Sequence, residues 1–200
     1  GPNGSGKTTL IKILNGLLQP NFGSAKIDGT PIGTYTKSQV SYLPDKNYFA
    51  DWMTVKDIFD LFEDFYQDFD RQKALQMCAS LSIGEGDRIK SMSKGTKEKV
   101  QLILVMSRNA QLYLLDEQIA GVDPAARDYI MGTIINNYAD DATVIISTHL
   151  IADIERVLDE VIFLKDGKIV RHETVDELKA KEGKSVDEVF REEFRMGEVR

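Results

Sequence analysis

The chain opens on GPNGSGKTT, residues 1–9, and this loop limits what can surround it. Gly1, Gly6, Lys7 and Thr8 fit the pattern G-x-x-x-x-G-K-[ST]. Glycines at positions 1, 4 and 6 let the backbone take positive φ and approach an anion closely. The N–H groups of Asn3, Gly4, Ser5, Gly6, Lys7, Thr8 and Thr9 are expected to point inward at the start of a helix. Such a helix end carries partial positive charge and unpaired donors. Lys7 supplies a point charge for β- and γ-phosphates, and the Thr8 hydroxyl is placed to ligate Mg2+. Behind the loop, Leu10, Ile13, Leu14, Leu17 and Leu18 recur at helical spacing. The loop therefore predicts a nucleoside triphosphate such as ATP, with Mg2+.

Composition narrows what can hold such a loop. With 42% apolar residues in 200, the chain can build one substantial core. No apolar run approaches the roughly 18 residues needed to cross a bilayer, and no secretory signal is visible. Cys78 is the single cysteine, which excludes an intramolecular disulfide and points to a reducing cytosol. Its apolar neighbours predict a buried structural thiol. The net charge of −7, with no dense Lys/Arg stripe, argues against a nucleic-acid partner.

Strand and helix signals alternate, as in an α/β domain. Residues 23–32 read as two short strands around Asp28-Gly29, and VSYLP (40–44) as another. From about Asp51 to Lys90 the texture turns helical. Thr54 and Asp57 form a capping box, followed by Val55, Ile58, Phe59, Phe62, Phe65, Tyr66 and Phe69 as an aromatic core stripe. A second helix is expected over 71–82. Strands at 112–117, 143–147 and 161–164 and a helix from Pro124 complete the pattern.

The strand QLYLLDE ends in two carboxylates, Asp116 and Glu117. Alternation along a strand predicts that they point differently and do different jobs. Asp116 is placed to hold Mg2+ beside Thr8. Glu117 is placed to polarise a water in line with the γ-phosphate, as phosphoryl transfer requires. Further upstream, SMSKGTKEK (91–99) puts Ser93 and Gly95 at the start of another helix, which makes a second anion site.

A second anion site makes sense if it closes over a nucleotide held by another subunit. At this point the sequence resembles the nucleotide-binding subunits of ABC transporters. Met92, Ser93, Lys94, Gly95 and Thr96 stand where that family has its signature. AGVD (120–123) resembles its D-loop, with Asp123 also able to cap the helix that follows, and STHL (147–150) places His149 at the switch histidine. The five motifs fall in the family's order across essentially the whole chain.

The resemblance implies a P-loop NTPase fold of α/β class: an ABC-type ATPase core with a mostly parallel sheet and a small inserted helical subdomain. It implies a single domain over 1–200, with the core in 1–50 and 91–170, the helical subdomain in 51–90 and a helical tail in 171–200. That tail holds a further capping box, Ser185 with Glu188. It implies ATP hydrolysis that drives transport through separate transmembrane permease subunits, at the cytoplasmic face of the membrane. Two subunits would pair head to tail, Ser93 and Gly95 of one facing the loop, Asp45, Asp116, Glu117 and His149 of the other. The short helical subdomain and the KGTKEK signature look most like drug, peptide or lipid exporters.

The chain departs from the family in three places. Asp45 stands at the usual Q-loop glutamine; its carboxylate can reach Mg2+ but cannot donate as an amide does. Gln118 replaces a proline after the catalytic acid, leaving φ less restricted. The family's first strands and adenine-stacking aromatic lie upstream of the loop, so the chain by itself is expected to bind ATP poorly. Two rival readings remain open: a soluble ABC-type ATPase not coupled to transport, and a regulatory cassette that binds ATP but hardly hydrolyses it.

Overall fold

The computed structural model describes residues 1–44, 46–117, 124–138 and 141–195. The elements that form the centre of the molecule are helix α1 (Lys7–Leu14), strands β1 (Lys26–Ile27) and β2 (Thr30–Pro31), helix α2 (Thr34–Ser38) and strand β3 (Val40–Leu43). Helices α3 (Val55–Phe65), α4 (Arg71–Ser80) and α5 (Lys94–Met106) follow, then β4 (Leu112–Asp116), α6 (Pro124–Asn137) and β5 (Thr143–Ser147). The chain continues through α7 (Ile151–Ile154), β6 (Glu160–Lys165), β7 (Lys168–Thr174), α8 (Val175–Glu182) and α9 (Val186–Arg195).

A parallel sheet of order β3-β4-β5 organises the rest. All five residues of β4 are buried, because both of its faces are covered. Leu112 and Leu114 face Ile11 of α1, together with Val40. Tyr113 and Leu115 alternate to the other face and pack on Leu102, Val105 and Met106 of α5 and on Ile130 and Ile134 of α6. The carboxyl ends of β4 and β5 coincide, with Asp116 paired to Ser147.

Helix α5 is buried on two sides. Seven consecutive residues, Val100 to Met106, are inaccessible. Those that turn from the sheet, Val100, Ile103 and Leu104, pack against Ile58, Phe59 and Phe62 of α3 and Ala74 and Cys78 of α4. Thr54 and Asp57 form the expected capping box at the start of α3. The aromatic stripe ends sooner than helical spacing implies. Helix α3 stops at Phe65, which is exposed, and Phe69 reaches the same cluster from the loop beyond. Burial pushes the Cys78 thiol up to about 11, in keeping with a structural role.

The first helix also differs from its pattern. It ends at Leu14, and Leu10, Leu17 and Leu18 are exposed while Ile11 alone is buried. Leucine spacing there marked a helix but not its core face. The tail differs too, since Arg171 to Thr174 belong to β7, which pairs antiparallel with β6. Phe190 and Phe194 of α9 pack against Phe163 of β6, the first edge to face and the second tilted. The Ser185–Glu188 capping box precedes α9 as expected.

One buried cation ties the helical layer to the sheet. Arg108, 3% exposed, donates to both carboxylate oxygens of Asp68 at 2.9 and 3.0 Å. It also donates to the carbonyls of Ser38 and Val40, each at 2.6 Å, and its guanidinium lies 3.8 Å from the Tyr66 ring. The planar fork suits this set of acceptors, where a lysine would not. Replacing Arg108→Ala is expected to cost about 3 kcal/mol or more, because a carboxylate and two carbonyls lose their donor together. Asp68→Asn keeps an acceptor and is expected to cost less. Urea unfolding of both variants measures the order.

Candidate active site

The loop between residue 1 and α1 has the conformation its glycines permit. Gly4 and Gly6 sit at φ 80° and 104°, and at Gly6 this left-handed turn launches α1 without steric cost. Gly1 is required by proximity: a Cβ there would stand 2.2 Å from the Leu164 carbonyl of β6. From below, Gly167 in the β6–β7 turn donates to the Ser5 carbonyl at 2.9 Å. Helix α1 has no side-chain cap and no acid in its first turn, so its leading N–H groups are left for a ligand. Ser5 is buried, and its Oγ has no hydrogen-bond partner among the described residues. A cavity of about 290 Å3 lies here, lined by Asn3, Gly4, Gly6, Lys7, Thr8, Thr9 and Glu117. Uncapped helix donors and a lysine at one cavity fit a polyphosphate.

The acids at the end of β4 close the other side. Asp116 is fully buried. Its Oδ1 accepts from the Thr8 hydroxyl at 3.2 Å and from the Ser147 hydroxyl at 2.5 Å. Thr8 and Asp116 are hard oxygen donors side by side, the kind of protein contribution Mg2+ takes when phosphates and water complete its shell. Glu117 lies past the strand at φ 54°, so a left-handed kink, and not strand alternation, directs it. Its N–H donates to the Ser147 carbonyl at 3.0 Å and to Ser147 Oγ at 3.2 Å. Its carboxylate reaches Lys7 Nζ at 3.1 Å and His149 Nδ1 at 2.8 Å. Lys7 further donates to the carbonyls of Gly1 and Pro2 at 2.8 and 3.0 Å.

The structure thus joins Lys7, Thr8, Asp116, Glu117 and His149 by direct contacts: Lys7, Thr8 and Glu117 line the cavity, Asp116 touches Thr8 and His149 touches Glu117. Ser93 and Gly95 stand apart from it. The Ser93 hydroxyl caps α5, accepting from the Thr96 N–H at 3.1 Å, and is exposed. Neither residue hydrogen-bonds the phosphate loop among the described residues. A larger cavity of about 570 Å3 separates the start of α5 from the 46–51 segment and reaches Glu117. Gln101, buried in α5, donates to the Lys46 carbonyl at 3.3 Å beside it. Asp45, Gln118 and Asp123 lie outside the described residues. Sequence reasoning missed Ser147, whose only signal was its place at the end of the strand beside the two acids.

Comparison with known proteins gives the family. The family model described as ABC transporter matches residues 1–120. The uncharacterized ABC transporter ATP-binding protein sll0415 of Synechocystis sp. is 31% identical, over 85% of this chain and 50% of that protein. The ABC transporter ATP-binding protein YtrB of Bacillus subtilis is 30% identical, over 90% of this chain and 62% of its own length. The chain therefore spans between half and under two thirds of these curated relatives. A solved structure described as the ATP binding subunit of an ABC transporter superposes with a TM-score of 0.83 at 26% identity, covering 96% of this chain and 85% of that one.

The kink at Glu117 gives a measurable consequence. A non-glycine residue in the left-handed region costs roughly 1–2 kcal/mol. Glu117→Gly and Glu117→Ala lose the same side-chain contacts, yet only the alanine keeps the strain. The glycine variant is expected to be more stable than the alanine variant by about 1 kcal/mol, read as the difference in their urea midpoints.

Proposed function

Because this chain belongs to the ABC transporter family, as an ATP-binding subunit, we propose that it hydrolyses ATP to drive transport through separate transmembrane subunits. The observation that carries this reading is the position of Glu117, bridged between Lys7 at 3.1 Å and His149 at 2.8 Å at the mouth of the phosphate cavity.

In this reading the loop N–H groups and Lys7 bind the β- and γ-phosphates, and phosphate competes with Glu117 for Lys7. Thr8 and Asp116 would hold Mg2+, which neutralises charge on the β- and γ-oxygens when bound. Glu117 orients a water and takes its proton as the water oxygen attacks the γ-phosphorus. The bond to the β–γ bridging oxygen breaks, and ADP leaves with the electron pair. His149 steadies Glu117 and lies beside the position of the γ-phosphate. Asp45 is assigned to the metal shell, and Asp123 to the nucleotide interface, from the family motifs they match.

Ser93 and Gly95 serve the nucleotide of a second subunit. The exposure of Ser93 beside half-buried Gly95 at the start of α5, with no hydrogen bond to the loop of the same chain among the described residues, supports a role in trans. Separate membrane subunits are supported by exposed apolar side chains. No helix among the described residues is long and apolar enough to cross a membrane. Trp52 and Phe65, 72% and 73% exposed, leave apolar surface on the 51–65 segment. The assembly would sit peripherally at the cytoplasmic face, with cargo of the drug, peptide or lipid export class. The net charge of −7 fits partners other than nucleic acid.

Phosphate release from Mg-ATP by the intact protein tests the activity. Glu117→Gln is expected to lower the rate about 100-fold or more, the scale of a lost general base, and Lys7→Ala to lower nucleotide affinity as well. Light scattering on Glu117→Gln tests the pairing. Mg-ATP should double the mass, and Ser93→Arg should abolish the doubling. ATP binding without any change of mass would overturn the homodimer and favour the regulatory-cassette reading.

A further inference from the structure

Ser147 has no part in the mechanism above, yet it touches both acids. It ends β5 in register with Asp116, and it is 7% exposed. Its hydroxyl donates to Asp116 Oδ1 at 2.5 Å, within a buried contact. The same oxygen accepts from the Glu117 N–H at 3.2 Å, and the Ser147 carbonyl accepts from that N–H at 3.0 Å. A single hydroxyl therefore joins the carboxylate of one acid to the backbone of the next.

We propose that Ser147 is a positioning residue for ATP hydrolysis, its hydroxyl fixing the Asp116 carboxylate toward Thr8 and toward the metal those two residues would hold. The inference rests on the ATPase reading above. The physical reason is rotational. A terminal carboxylate torsion is broad and shallow, so β4 by itself does not set the plane of the Asp116 carboxylate. Thr8 makes a longer contact, 3.2 Å, to the same oxygen. The short bond from Ser147 comes from a neighbouring strand whose register is set by five paired residues, which makes it the rigid member of the pair. Outer partners that orient a metal-binding carboxylate matter because a misoriented ligand must reorganise before it binds.

The effect should fall on Asp116 more than on Glu117. Removing the hydroxyl leaves the Ser147 carbonyl, so the Glu117 N–H keeps its acceptor and the kink is retained. A residue that only satisfied a buried acid would act differently, lowering stability without singling out the metal-dependent step.

The test uses the intact protein with ADP as probe, titrated in EDTA and in Mg2+, beside phosphate release as a function of Mg2+. For Ser147→Ala the expected result is an unchanged ADP affinity in EDTA. The gain in affinity that Mg2+ confers should fall about ten- to hundredfold, and half-saturation of phosphate release should move to correspondingly higher Mg2+. Ser147→Thr keeps the hydroxyl and should restore both. Ser147→Cys is nearly isosteric with a weak donor and should lie between, which preserves the test if the alanine variant does not fold. Equal losses in EDTA and in Mg2+, or an unaltered Mg2+ dependence in the alanine and cysteine variants, would overturn the proposal. If the unsubstituted protein shows no Mg2+-dependent nucleotide binding, the ATPase reading itself fails.

Discussion

A carboxylate buried at the end of a strand has to be given donors, and that requirement organises this molecule. Four apolar residues hold β4 between α1 on one face and α5 with α6 on the other, and the fifth, Asp116, is fully inaccessible. An ionised acid there without partners would cost several kcal/mol. Thr8 answers from the loop and Ser147 from β5. Satisfying this one group therefore fixes how close the phosphate loop lies to the sheet and in which register β5 pairs. A slip of one residue would turn the donor of β5 to the opposite face. Closeness of loop, acids and His149 follows from that packing.

Helix α5 links this centre to the exposed Ser93 and the half-buried Gly95. Its sheet-facing residues and its α3-facing residues are both buried, so it belongs to two layers at once. Beyond its C-terminal end, Arg108 binds Asp68 and the start of β3. The backbone of Asp70 donates to the Ser107 carbonyl at 2.7 Å. The far end of the helical layer is thus anchored. At the near end a cavity of about 570 Å3 separates the start of α5 from the 46–51 segment. Across that cavity α5 is still tied to the segment, by Lys97 to Asp51 at 3.1 Å and by Gln101 to the Lys46 carbonyl at 3.3 Å.

Much of this was legible in the sequence, for identifiable reasons. The parallel strands were readable because β4 is buried on both faces and shows an unbroken apolar run. The Thr54–Asp57 and Ser185–Glu188 boxes were readable because capping is local chemistry. Position 14 as the end of α1 was not readable, since Leu17 and Leu18 continue the helical spacing while lying exposed in a turn. Strand β7 was missed because its residues are mostly exposed and polar, and its partner is a neighbouring strand, not the core. Arg108 and Ser147 were missed for a different reason. Each acts through partners distant in sequence, 40 residues away for Asp68 and 31 for Asp116, and no local pattern announces such a contact.

At Glu117 the sequence argument for two diverging acids is incomplete. Strand alternation gave a reason for two adjacent acids to diverge, but the strand has ended by Glu117, and a φ of 54° makes the divergence. Glycine would adopt that backbone at no cost, so glutamate stands there against local preference. Two hydrogen bonds from its N–H to Ser147 hold the kink, and Lys7 and His149 hold the carboxylate. A residue in a costly conformation whose side chain lines the cavity beside the loop fits the catalytic role proposed for it. In the proposed reading the chemistry selects the group at this position, and the hydrogen bonds around it supply the compensation for the broken local rule.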